Sequence, residues 1–357
     1  MKMNILHIAP FNVAGVPITF VKAERQLGFN SRLITLAKNP RGYEEDICLD
    51  LPFLDFKGFT KFKRLIGGKS RTEITNQAPQ LTEIPQKWIP NKIEKLFIVF
   101  REHFWKSKIE NVLDQINIDQ FDVIQLDGGI GFYRNGRDIL ELKRKGKKII
   151  CCYTGSDLRV RGVIPQIDAV SDLNVSVEFD HLSLHPNINH VFFPFDASNF
   201  KLAASKKDGK IHIGHSPTNR AAKGSDVIIP VVKELEKKYP AKLVLIENLP
   251  YKQALELKAQ CHIFIDQLGD LGYGISGLES LAMGIPTCSC LAHGFDEKYP
   301  DNPFVVVDET NLEQRLVQLI KNKELRYKKG AEGREWVKQF HDPIKVVQQI
   351  RKLLLDE

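Results

Sequence analysis

The sequence predicts an α/β protein made of two doubly wound parallel sheets. Three observations predict it. Strand-like apolar runs alternate with helical segments along nearly the whole chain. The runs are continuous rather than alternating, as in strands covered on both faces. The series breaks at a polar stretch near the middle and then starts afresh. A chain of 357 residues is also long for one core and suits two domains.

The elements follow in order. NILHIAP at 4–10 reads as a strand, followed by the loop FNVAGVP and a helix from about Ile18. FNSRLITL, FDVIQLDG, KKIICCY, DLNVSVE and INHVFFP are the next strands. PFDASNFKLAASKKDGK at 194–210 is polar and rich in small residues, and marks the boundary. KIHIGHSP, AKLVLIE, CHIFIDQ, IPTCSC and PFVVVD are the strands of the second series. The helices between them are SDVIIPVVKELEKKY, YKQALELKAQ and SGLESLAM, and Pro230 should kink the first. A helical tail runs from about Leu312 to Leu355, restarted by Pro343. The domains are therefore placed at 1–200 and 201–340, with 341–357 a helix returning toward the first.

Composition narrows the function classes. Hydrophobic residues make up 43% and charged residues 27%, as in a soluble globular protein. No apolar run approaches the ~20 residues of a membrane span, and the start reads as a strand, not a signal peptide. The six cysteines form no CxxC pair and read as reduced core thiols, which suggests a cytoplasmic protein. The net charge of +7 suits phosphate-rich ligands or an anionic surface. Residues 57–110 mix Lys and Arg with Phe, Trp and Ile. They read either as a peripheral contact with an anionic membrane or as a basic loop and a helix packed on its own domain.

Doubly wound sheets bind ligands beyond the carboxyl ends of their strands, so the loops there carry the argument. After KIHIGHSP, Arg220 and Lys223 precede Gly224 and Ser225, a plausible N-cap. Two cations at a helix N-terminus suit a diphosphate. After CHIFIDQ, a Gly-Tyr-Gly turn leads into a helix starting at Ser276 or Gly277, with Glu279 in its first turn. That carboxylate can cap its own helix or accept hydrogen bonds from a diol. Cations, amides and an acid together are the inventory for a nucleoside diphosphate carrying a sugar. No D-x-D segment and no Cys/His cluster is read in the chain, so no metal is expected. No G-x-S-x-G elbow is present either.

At these residues the sequence resembles the family-4 glycosyltransferases, which have the GT-B fold of two Rossmann-like domains facing a central cleft. NRAAKG is similar to the family's Arg and Lys-Gly element, and LESLAMGIP to the end of its Ex7E motif, with Glu279 as the second acid. YTGSDLR and PFDASNF are similar to two further family segments. The resemblance implies a retaining transfer from a nucleotide-diphosphate sugar, UDP or GDP type, to a glycan or lipid-linked saccharide, with no cofactor and no nucleic acid partner. It implies that Arg220 and Lys223 hold the diphosphate and that Glu279 binds the ribose. Amides near Gly274, Ile275, Ser276 and Gly277 would add hydrogen bonds. Gly15 would let the first loop approach the cleft, and Glu247 to Tyr251 would lie near the base. The sequence departs from the pattern at Leu271, where the first acid is expected, with Asp270 beside it, and at Thr154, where a His is common. The alternatives are a non-catalytic nucleotide- or glycan-binding protein and a nucleotide-sugar epimerase. A cytoplasmic location, peripheral to the inner face of a membrane, is the matching expectation.

Overall fold

The computed structural model describes residues 3–39, 41–54, 85–269 and 272–356. The chain divides into two compact units, Met1–Pro194 with Pro343–Glu357, and Phe195–Asp342.

The first unit runs β1 (Asn4–Ala9), α1 (Val16–Gln26), β2 (Asn30–Thr35), β3 (Ile47–Cys48), α2 (Lys92–Gln115), β4 (Val123–Asp127) and α3 (Arg137–Arg144). It continues through β5 (Lys148–Tyr153), α4 (Pro165–Asp168), β6 (Leu173–Ser176) and β7 (Asn189–His190). The strands form a parallel sheet ordered β3-β2-β1-β4-β5-β6-β7. Continuous apolar runs make its middle: Ile5, Ile8, Ile124, Leu126, Ile149 and Ile150 are fully buried. β3 has no apolar run to announce it. It is held at the sheet edge by acids from EED, with Glu45 accepting from the Thr35 hydroxyl at 2.5 Å and Asp46 from the Leu33 amide at 2.8 Å.

α2 begins with a reciprocal cap. The Asn91 side chain accepts from the Glu94 amide at 2.8 Å, and the Glu94 carboxylate from the Asn91 amide at 3.1 Å. It buries Trp105 and Ile109 but exposes Ile93, Leu96, Phe100 and Phe104. The helix thus packs on its own unit and also shows an apolar face. The basic loop read before it lies largely outside the described residues.

The second unit runs β8 (Ile211–His215), α5 (Ser225–Lys238), β9 (Ala241–Leu245), α6 (Tyr251–Lys258), β10 (Ile263–Ile265) and α7 (Ile275–Ala282). Then follow β11 (Thr287–Ser289), α8 (Phe295–Lys298), β12 (Val305–Val306), α9 (Leu312–Lys321) and α10 (Lys323–Phe340). Its parallel sheet is ordered β12-β11-β10-β8-β9. α5 runs on through the exposed Pro230. The carbonyl left without its donor belongs to Asp226, which is also exposed and can meet water.

The final helix, α11 (Pro343–Leu355), belongs to the first unit. Its Arg351 donates to Oε1 of the buried Glu24 in α1. Glu24 Oε2 in turn lies 2.9 Å from Nε2 of His7, whose Nδ1 is 2.9 Å from Asp127. Burial opposes a charged imidazole, but Glu24 and Asp127 outweigh it and raise His7 to about 9. Burial likewise opposes the Glu24 carboxylate, yet His7 and Arg351 bring it down to about 2.

Of the six cysteines, Cys151, Cys152, Cys261 and Cys288 are buried. Among the described residues no helix is long and apolar enough to cross a membrane.

Candidate functional site

In the second unit, the chain winds from β8 to β9 on one side and then crosses to β10 on the other. The loops after β8 and β10 therefore part at the point where the winding reverses, the place where open α/β sheets bind ligands. The first of these loops carries Arg220 and Lys223. The second leads into α7 and Glu279.

Asp266 joins the two loops. It ends β10's run and is 2% exposed. Its Oδ1 accepts from Lys223 Nζ at 3.1 Å, and its Oδ2 accepts from the Gly274 amide at 2.8 Å. Lys223 Nζ also donates to Gln267 Oε1. Arg220 is exposed and makes a two-point pair with Glu247, Nε to Oε1 at 2.8 Å and Nη2 to Oε2 at 2.6 Å. That pairing holds the Glu247 carboxyl below its usual range. The loops after β8 and β9 are thereby linked as well.

The N-cap of α5 is Gly224, in the left-handed region at φ 67°, rather than Ser225. A Cβ there would come within 2.9 Å of Leu268. Ser225 has another partner: its hydroxyl lies 2.8 Å from His215 Nε2, while His215 Nδ1 lies 2.9 Å from the Ile265 carbonyl. A carbonyl only accepts, so Nδ1 carries the proton and Nε2 accepts from Ser225. Burial lowers the His215 pKa and keeps the ring neutral.

The Gly-Tyr-Gly turn has Gly272 at φ 136°, but Gly274 is extended at φ −119°. α7 begins at Ile275, so Glu279 is its fifth residue and lies past the first turn. It does not cap the helix. Its Oε2 accepts from Lys258 Nζ at 2.5 Å and its Oε1 from the Tyr251 hydroxyl at 2.8 Å. Lys258 donates as well to Ser276, to its hydroxyl at 2.8 Å and its carbonyl at 2.9 Å. Gly277 makes room for Asp266, since a Cβ there would stand 2.9 Å from Oδ2. Arg220, Lys223, Gly274, Ile275, Ser276, Gly277 and Glu279 are thus gathered at one edge of the second unit. Asp266, Lys258 and Gln267 are the additions that sequence reasoning missed. An acid ending a strand just before a glycine turn was the available signal for Asp266. Leu271 and Asp270 lie outside the described residues.

Gly15 lies in the first unit, at φ 74° as the N-cap of α1, where a Cβ would touch the Tyr43 ring at 3.4 Å. Thr154 donates its hydroxyl to Asp157 at 2.9 Å. His181 and His185, four residues apart, take separate partners. His181 sits between the Ser176 hydroxyl at 2.7 Å and the Gly155 carbonyl at 2.9 Å, and burial lowers it to about 4. His185 is 2.9 Å from Asp168.

No protein-family model matches the chain, and no curated protein matches it. Solved structures do. A sucrose-phosphate synthase from Thermosynechococcus elongatus is similar over 99% of both chains, at 11% identity and TM-score 0.62. A glycosyltransferase from Rickettsia africae is similar over 99% of this chain and 98% of its own, at 12% identity and TM-score 0.62. The E. coli structure described as trehalose-6-phosphate bound with UDP-2-fluoro glucose is similar over 98% of this chain and 99% of its own, at 9% identity and TM-score 0.61. At such identities the likeness is one of fold: the chain has the α/β GT-B fold, with a parallel sheet in each unit.

Proposed function

We propose that the protein is a glycosyltransferase that takes its sugar from a nucleotide-diphosphate sugar, UDP or GDP type, and passes it to a glycan or lipid-linked saccharide with retention at the anomeric carbon. The observation that carries this is the clustering of Arg220, Lys223 and the start of α7 at the winding reversal of the second sheet. The fold shared with sugar transferases supports it, as does the UDP-sugar analogue named for the E. coli neighbour. No cofactor enters the proposal; the nucleotide sugar is a substrate.

In this reading Arg220 and Lys223 take the diphosphate oxygens and stabilise charge on the departing nucleotide. Amides at Ile275 and Ser276 add hydrogen bonds at the start of α7. Glu279 accepts from ribose hydroxyls, and the Lys258 and Tyr251 bonds hold its carboxylate in place. Tyr251 and Glu247 flank the base.

One observation favours a second reading. Lys223 and Glu279 each already hold an internal partner, Asp266 and Lys258, so the cluster is also a self-sufficient structural network. A protein that binds nucleotide or glycan without turnover would look the same. Calorimetric titration with UDP and GDP tests binding, and release of nucleotide from a bound donor separates the two readings. The transferase reading expects both; binding with no turnover on any donor supports the second.

A further inference from the structure

The first unit holds a pocket of about 590 Å³ that the nucleotide reading does not use. It lies against the loop after β4, between α2, α3 and the segment around Trp88. In this sheet the chain winds away from β1 through β2 and β3, then returns to β4 on the other side. The loop after β4 therefore stands where a ligand belongs.

The pocket is built, not a gap between loose segments. The Trp88 amide donates to the Val163 carbonyl at 2.8 Å, and the Val163 amide to the Gln86 carbonyl at 2.9 Å. Gly162, at φ 82°, lets these strands meet, since a Cβ there would run into the Gln86 carbonyl. The Arg134 amide donates to Glu102 of α2 at 2.8 Å and fixes the floor.

Its charge is one-sided. Lys95, Lys106, Arg134 and Arg137 line it, against one carboxylate among the described residues, that of Glu102. Arg134 Nη1 is buried and has no hydrogen-bond partner among the described residues. Nor have Nε and Nη2 of Arg101, which lies behind the wall over the Trp105 ring at 4.5 Å. Burial and the nearby Arg161 and Arg101 bring Arg134 down to about 9, the mark of a crowded cation without enough counter-charge. Burial leaves the Glu102 carboxyl above its usual range, against the pull of the Arg134 amide and the nearby guanidinium groups.

Trp88, Ile89, Ile98 and Val99 give the lining an apolar wall, beside the polar His103, Asn135 and Gln166. Ile89 and Val99 are also 78% and 67% exposed, so the apolar wall continues outward onto the open face of α2, where Leu96 and Phe100 stand exposed. A phosphate satisfies several guanidinium N–H groups at once, and an alkyl chain covers such a face. We infer that this pocket binds a phosphate-bearing lipid, the phosphate on Arg134 and Arg137 and the chain along Ile89, Val99 and the outer face of α2. The pocket lies wholly in the first unit and its test uses no nucleotide, so the two readings fail separately.

The test is titration of the full chain with dodecyl phosphate below its micellar concentration, followed by tryptophan fluorescence. Dodecyl maltoside and inorganic phosphate are the comparisons. Dodecyl phosphate is expected to saturate the signal and bind at least about tenfold tighter than either, because head and chain act together. Arg137→Gln with Lys106→Gln, both exposed, should weaken it about tenfold and leave the maltoside unchanged. Equal binding of the maltoside or of inorganic phosphate would overturn the inference. So would a double variant that binds dodecyl phosphate as tightly as the native chain.

Discussion

At the scale of residues, the second unit turns on ions that are buried in pairs. Lys258 and Glu279 have side chains only 2% and 8% exposed. Removing one leaves the other charged and unpaired. Glu279→Ala is therefore expected to cost about 3–5 kcal/mol in urea unfolding, and Lys258→Met with Glu279→Leu to regain most of it. Loss of nucleotide binding in Glu279→Ala would consequently say little by itself. In the first unit, His7 gives a pH signature. Its folded pKa is raised from 6.5 to about 9, so its contribution is complete below pH 6.5 and fades as pH rises through 9. Glu24 is lowered from 4.5 to about 2, so its contribution is complete above pH 4.5 and is lost as pH falls through 2. Urea midpoints should decline on the alkaline limb, and His7→Gln should flatten that decline. An unchanged limb would refute the assignment. Residue types were legible in the sequence at Arg220, Lys223 and Glu279; their partners were not. Asp266 lies 43 positions from Lys223 and Lys258 lies 21 from Glu279, and no local pattern encodes such pairs.

At the scale of elements, the strands were legible because both faces of each sheet are covered, which writes a continuous apolar run. β3 was not, because two residues held by neighbouring carboxylates carry no such run. The sequence places the start of α7 at Ser276 or Gly277, one or two residues late, and takes Ser225 for a cap. A glycine N-cap leaves no side-chain sign in either case. Gly277 shows what spacing within an element does. It leaves the space that Asp266 fills, and Asp266 holds Lys223 and the Gly274 amide. Gly277→Ala should shift that carboxylate, cost about 1–3 kcal/mol in unfolding free energy, and weaken any nucleotide seen in titration. An alanine variant as stable as the native chain and with equal affinity would show that the contact is dispensable.

At the scale of the whole molecule, the chain returns its last helix to the unit where it began. Val346, Val347 and Ile350 of α11 are buried, and Arg351 reaches Glu24. Deleting residues 343–357 should speed hydrogen exchange in α1 and β6, which α11 packs against, and leave β8–β12 unchanged. Equal protection in both forms would contradict that packing. The two-sheet architecture was legible from the restart of the strand series. The network beneath the second sheet's reversal point was not, because it depends on which loops the strand order makes neighbours. The most direct measurement is calorimetric titration of the protein with UDP and GDP, alongside Arg220→Ala. Arg220 is the right probe because its side chain is 60% exposed and its loss leaves the buried pairs intact. The account predicts that one nucleotide binds and that Arg220→Ala weakens it about tenfold without altering stability, the loss of one charge-assisted pair. A protein that binds neither nucleotide, or binds one equally well without Arg220, would contradict it.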